Sequence, residues 1–162
     1  MLVSAIDHYI NAVVLQGERE AREDGSAVVE AHHVLLAIAV HEDTAARRVL
    51  VEAGLDRQAI RDALDREFEH SLNAAGVSLS SFGSPRATPD PRRRVGMGAS
   101  TRLALERAFA HATGKKDLRP AHVLIGILEA EVGTVPRALA LAGAERAGLI
   151  ERVRQTTATE HW

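Results

Sequence analysis

The sequence predicts an all-α chain: an eight-helix, pseudo-twofold bundle made of two tandem four-helix repeats. Three observations carry that expectation. First, Ala31-His32-His33-Val34-Leu35-Leu36-Ala37-Ile38 returns as Pro120-Ala121-His122-Val123-Leu124-Ile125-Gly126-Ile127, an offset of 122 − 33 = 89 residues. Laid on itself at that offset, the stretch from Val14/Leu103 to Arg61/Ile150 holds 12 identities in 48 pairs, where chance in so Ala-rich a sequence gives roughly one in twelve. Second, the apolar content of 46% is mostly Ala, Leu, Val and Ile with only 3% aromatics, a palette that suits closely packed helices. Third, apolar residues recur three and four apart rather than alternating.

The elements follow in order. From Ser4 to Asp24 the residues Ile6, Ile10, Val13, Val14, Gly17 and Ala21 share one face and Arg19, Glu20, Arg22 and Glu23 fill the other, which predicts an amphipathic helix closed by Gly25. A second helix starts near Glu30 and is apolar nearly all round, so it is expected at the centre of its repeat. Thr44 is placed to cap a short third helix stopped by Gly54. Asp56 is placed to cap a fourth with Ile60, Ala63, Leu64 and Phe68 inward, fading near Leu72.

Residues 73–98 hold the prolines 85, 89 and 91 and no sustained period, and read as a linker. The second copy repeats the plan: Ser100 or Thr101 capping a helix with Leu103, Leu105, Ala108, Phe109 and Ala112 inward, Pro120 opening a buried helix, a short helix stopped by Gly143, and a last helix from about Glu145 through Val153. Residues 1–162 are thus expected to form one unit: repeat one 1–72, linker 73–98, repeat two 99–157, and a fraying tail 158–162.

Chemistry is sparse. With no cysteine, disulfides, thiol catalysis and thiolate metal sites are excluded. No His-Glu-x-x-His occurs among the eight histidines, and His33 and His122, present in both copies, are expected to satisfy backbone groups at a helix start, so no metal or other cofactor is expected. Gly114-Lys115-Lys116 lacks the leading glycine and trailing Ser/Thr of a phosphate loop, and no serine stands in a nucleophile elbow; no catalytic residue is predicted. Carboxylates beside arginines, such as Arg61-Asp62, read as solvated surface. Net charge is −2, and the basic run Arg92-Arg93-Arg94 offers the alternative reading, a nucleic-acid-binding regulator. No apolar run is long enough to span a bilayer and no basic leader precedes one, so a cytoplasmic address is expected.

The two motif runs, with Leu50/Gly54 and Leu139/Gly143 downstream of them, resemble the N-terminal repeat domain of the Clp ATPases, the protein-unfolding chaperones that serve the Clp protease. The resemblance implies an eight-helix binding domain. Because the chain stops at Trp162 without an ATPase module, it implies a free-standing one: a non-catalytic protein- or peptide-binding module acting as adaptor, competitor or decoy, its partners the adaptors, substrates or subunits of the Clp system or peptide ligands directed at it. In some members of that family a motif glutamate holds the guanidinium of phosphorylated arginine. His32 and Ala121 stand at those places here, and neither can pair bidentately with guanidinium. The cyclic-peptide patch of the family falls nearest Val3 and Val95. The candidate contact residues are therefore Val3, His32, Val95 and Ala121, with His33, His122, Gly54 and Gly143 as the structural motif.

Overall fold

A computed structural model describes residues 3–41, 43–77, 92, 94–160 and 162. Among them are eight α-helices: α1 (Ala5–Glu23), α2 (Ala31–Val40), α3 (Ala45–Glu52), α4 (Arg57–Ala74), α5 (Ala99–His111), α6 (Pro120–Leu128), α7 (Thr134–Leu141) and α8 (Arg146–Thr157). The caps are where local chemistry asks for them. Ser4 and Asp7 close a reciprocal box at the head of α1, Thr44 Oγ1 accepts the Arg47 N–H (3.2 Å), and Asp56 accepts the Ala59 N–H (2.8 Å). Pro120 opens α6.

The third helices of the two copies end in the same way. Gly54 (φ +77°) and Gly143 (φ +72°) adopt the left-handed conformation, and the next N–H reaches back to Leu50 O (2.8 Å) and Leu139 O (2.9 Å) respectively. The copies interlock beyond these ends. Helix α4 lies chiefly against α7 of the second copy and also on α2, while α8 lies against α6 and α3, so each fourth helix straddles both halves. The rods α2 and α6 are enclosed almost throughout and touch one another at the centre.

Several expectations are corrected. The core stripe of α4 is Ile60, Ala63, Leu64 and Glu67, so Phe68 turns outward at 56% exposure; Glu67 is kept inside by Ser71 (2.6 Å) and Arg137 (2.9 Å). In α5 the enclosed residues are Thr101, Ala104 and Ala108, while Leu103 and Phe109 (53% exposed) face out. The reason is the closeness of α6: a Cβ on Gly126 would lie 2.1 Å from the Ala104 carbonyl oxygen, so only small residues fit between the two backbones.

Ser100 and Thr101 do not cap α5, which starts after Gly98. Their hydroxyls cross to the other half instead: Ser100 Oγ accepts the Ala31 N–H (2.8 Å) and donates to Glu30, and Thr101 donates to Val29 O (2.7 Å). Alongside runs a two-residue parallel ladder, β1 (Val28–Val29) with β2 (Gly96–Met97), so the last part of segment 73–98 is regular structure. The prolines 85, 89 and 91 lie outside the described residues. In segment 158–162 Glu160 accepts the Ala45 N–H (2.9 Å) and the Trp162 ring meets Tyr9 edge-on at 6.0 Å.

Candidate partner-binding site

The motif residue His32 sits where the end of α1, the first turn of α2 and α4 converge. Glu20, only 1% exposed, takes Arg57 in a fork (Nε to Oε1 and Nη2 to Oε2, both 2.8 Å) and a further bond from Arg61 Nη2 (2.7 Å). Arg61 Nη1 goes on to Asp24 Oδ1 (2.7 Å), and Asp24 Oδ2 faces His33 Nε2 at 2.9 Å. The spacing explains the ladder. Glu20 and Asp24 stand four apart on α1, and Arg57 and Arg61 four apart on α4, so two charged rows of opposite sign meet along two helices. Burial alone would raise the Glu20 and Asp24 carboxyls; the guanidinium bonds on Glu20, and the His33 bond with the Arg61 charge on Asp24, hold both below their ordinary range.

His33 Nδ1 accepts the Glu30 N–H at 3.0 Å. That nitrogen therefore has no proton, Nε2 carries it, and His33 donates to Asp24. His32 packs its ring 4.0 Å from that of His33, centroid to centroid. Burial above all pushes His32 down to about 4, with Arg61 adding less than Asp24 or Glu30 takes back, so it is neutral at pH 7.

Donor atoms of Asp24, His32 and His33 lie within 4.8 Å of one another. They do not fit a metal ion. The His33 nitrogen facing the cluster bears its proton because the other is taken by backbone, and Arg61 already neutralises Asp24.

The second copy repeats the cap without the charges. His122 Nδ1 accepts the Arg119 N–H at 3.0 Å, as His33 does its own backbone partner. At the places of Glu20, Asp24 and Arg61 stand Phe109, Thr113 and Ile150. What remains is a shallow groove of about 330 Å³ lined by His111, His122, Ile125, Arg154, Thr157 and Ala158. Burial, with His111 and Arg119 nearby, lowers the His122 ring below its ordinary value.

The four candidate contact residues fare differently. Val3 is 55% exposed just ahead of the α1 cap, Val95 is half-buried before β2, and His32 is half-buried. Ala121 is wholly enclosed at 0% exposure, because α6 is covered on every side, and offers a partner no atom. Arg92 and Arg94 are exposed, and Arg93 lies outside the described residues. Of the arginine-adjacent carboxylates expected to be solvated, Asp62 and Asp65 are exposed and Glu67 is not, at 6%; Arg61 itself turns away from Asp62 to Glu20 and Asp24. The matching rows Glu20/Asp24 and Arg57/Arg61 were the signal in the sequence for this network.

A family model for the Clp repeat (R) N-terminal domain matches residues 6–92. The chain belongs to the Clp N-terminal repeat family. The match spans the first repeat and runs on into the segment that follows it; the second repeat is recognised by its 89-residue offset and its reuse of the His cap and Gly stop. No curated protein matches the chain. A Clp-related helical domain is what the family and the fold establish together, and among the described residues no helix is long and apolar enough to cross a membrane.

Proposed function

We propose that this module is non-catalytic and acts on the Clp system as an adaptor, competitor or decoy, engaging proteins or peptides that a Clp N-domain engages, through sites other than a phosphoarginine pocket. One observation carries the second half of the reading. The place where the family resemblance puts guanidinium-holding glutamates is closed: Ala121 is enclosed, and His32 is a neutral ring packed on His33 beside the Arg61 guanidinium. A second guanidinium brought there meets a like charge and no free carboxylate, since Asp24 and Glu20 are already bonded to arginines.

Support for protein binding by other surfaces comes from large apolar side chains left in solvent on an otherwise well-packed domain: Val3, Leu15, Phe68, Leu103 and Phe109. Titration calorimetry with free phosphoarginine is expected to give no saturable heat, and capture from lysate on the immobilised chain is expected to retain a Clp subunit, adaptor or substrate. Saturable phosphoarginine binding refutes the first expectation; retention of none of the three refutes the second. The nucleic-acid reading rests on the basic run at 92–94 alone, against a net charge of −2.

A further inference from the structure

The segment beyond α8 is seated on the first repeat as a ligand would be. After Thr157 the backbone of its described residues bonds to the last turns of α8, Ala158 N–H to Arg154 O, Thr159 N–H to Thr156 O and Glu160 N–H to Thr157 O. Among its described residues, two side chains hold it to the first repeat. Glu160 Oε1 accepts the Ala45 N–H (2.9 Å) in the first turn of α3, where an unpaired backbone donor and the helix dipole both favour a carboxylate. The Trp162 ring stands edge-on to Tyr9, 6.0 Å and 82°, and Tyr9 in turn lies 5.8 Å from the His41 ring.

The hold is also incomplete. Glu160 Oε2 is buried without a hydrogen-bond partner among the described residues, and Trp162 keeps 42% of its surface in water. A seat that takes an acid at a helix head and an aromatic ring two residues on has the contacts of a peptide site, and those contacts do not depend on the occupant being covalently joined.

We propose that the seat formed by Tyr9, His41 and the Ala45 N–H is a peptide-binding site for a partner segment carrying an acidic residue two places before a tryptophan, and that Glu160 and Trp162 occupy it as a self-ligand. This deepens the protein-binding reading by naming a site and a ligand chemistry. The occupant from within the chain sits at high effective concentration, so a partner peptide must displace it, and the module is held partly closed until one does.

The test uses the full chain carrying Glu160→Gln and Trp162→Ala, with a fluorescein-labelled peptide Thr-Thr-Ala-Thr-Glu-His-Trp as probe and circular dichroism to confirm the fold. Anisotropy is expected to show saturable binding to the double variant, at least tenfold weaker binding to the parent chain, and loss of binding when the peptide carries Gln for Glu and Ala for Trp. Equal binding by parent and variant, or none by the variant, overturns the proposal.

The parent chain gives a second readout because Trp162 is its sole tryptophan. Its emission is expected to be shielded from iodide and to lose that shielding in excess of the peptide made with Phe for Trp; shielding unchanged by the peptide overturns the proposal. A concentration-dependent dimer abolished by Trp162→Ala assigns the seat to a second copy and overturns it as well. Capture of Clp proteins alongside failure of these peptide tests leaves the module reading standing and removes only this site.

Discussion

Acidification should weaken this fold through its lowered histidines, His32 above all, before its carboxylates begin to titrate. His32 accepts a proton at about 4 in the folded chain and at 6.5 in an unfolded one. Because the folded value is the lower, the unfolded state binds more protons between those pH values, so stability falls as pH drops below 6.5 and the loss is complete near pH 4. At about 1.4 kcal/mol per pH unit, the loss is about 2 kcal/mol by pH 5 and about 3 kcal/mol by pH 4. In a chain of this size each kcal/mol moves the melting midpoint by about 2–4 °C.

Glu20, Asp24 and Glu67 are all held below their ordinary carboxyl values, so they change little between pH 7 and 5. His122 is also held below its ordinary value, so His32 is isolated by difference. Urea unfolding of the parent chain and of His32→Phe, at pH 7 and at pH 5, should show the parent losing about 2 kcal/mol more than the variant. If the two lose stability in parallel, the ring is not shielded from protons as its burial requires.

Two further outcomes are expected. Gly126→Ala should destabilise by about 1–3 kcal/mol in urea despite alanine's better helix propensity, because the new Cβ would meet the Ala104 carbonyl oxygen at 2.1 Å, and a stabilised variant would refute the close packing of α5 on α6. Glu20→Gln should cost about 3 kcal/mol at pH 7, the low end for a broken buried ion pair because Arg57 can turn to water and Arg61 keeps Asp24. The contribution of Glu20 is present above its ordinary value of 4.5 and lost as pH falls through its lower folded value, so parent and variant should converge below that value; an unchanged urea midpoint at pH 7 would show the network to be ornamental.

The parts of this fold that the sequence made legible are those fixed by local chemistry. A run apolar on every side had to be central, so α2 and α6 were readable; Thr44, Asp56 and Pro120 announce helix heads, and Gly54 and Gly143 announce helix ends. Where two elements compete for one space, residue type misleads. Phe68 and Phe109 are large and apolar, yet Glu67 is drawn inside by Arg137, and Gly126 leaves α5 room only for Ala104 and Ala108. The hydroxyls of Ser100 and Thr101 look like caps, but the strand and helix head they satisfy lie about 70 residues away.

The candidate site shows the same division. The cap made by His33 was readable from its place three residues after the cap residue Glu30, whereas the bonds joining Glu20 and Asp24 to Arg57 and Arg61 required knowing that the end of α1 comes within side-chain reach of the start of α4.

Duplication explains the scaffold and also why its two faces differ. The reciprocal placement of α4 on α7 and of α8 on α3 ties each copy to the other, so neither repeat can shed its fourth helix without exposing the partner's third. That interdependence constrains the core, and the core is where the copies still agree: Val34/Val123, Leu35/Leu124, Ile38/Ile127 and Leu50/Leu139 are identical and enclosed. Outside it nothing enforces agreement. Glu20, Asp24 and Arg61 of the first copy correspond to Phe109, Thr113 and Ile150 of the second, and Arg57, which grips Glu20, corresponds to Arg146, which spends its guanidinium on the Leu128 carbonyl oxygen at 2.8 Å. One half therefore presents a bonded, charge-locked face around a neutral His32 and the other a shallow groove beside His122. A partner that meets this module meets a twofold skeleton with two unlike surfaces, and recognition of one of them need not bring the other into play.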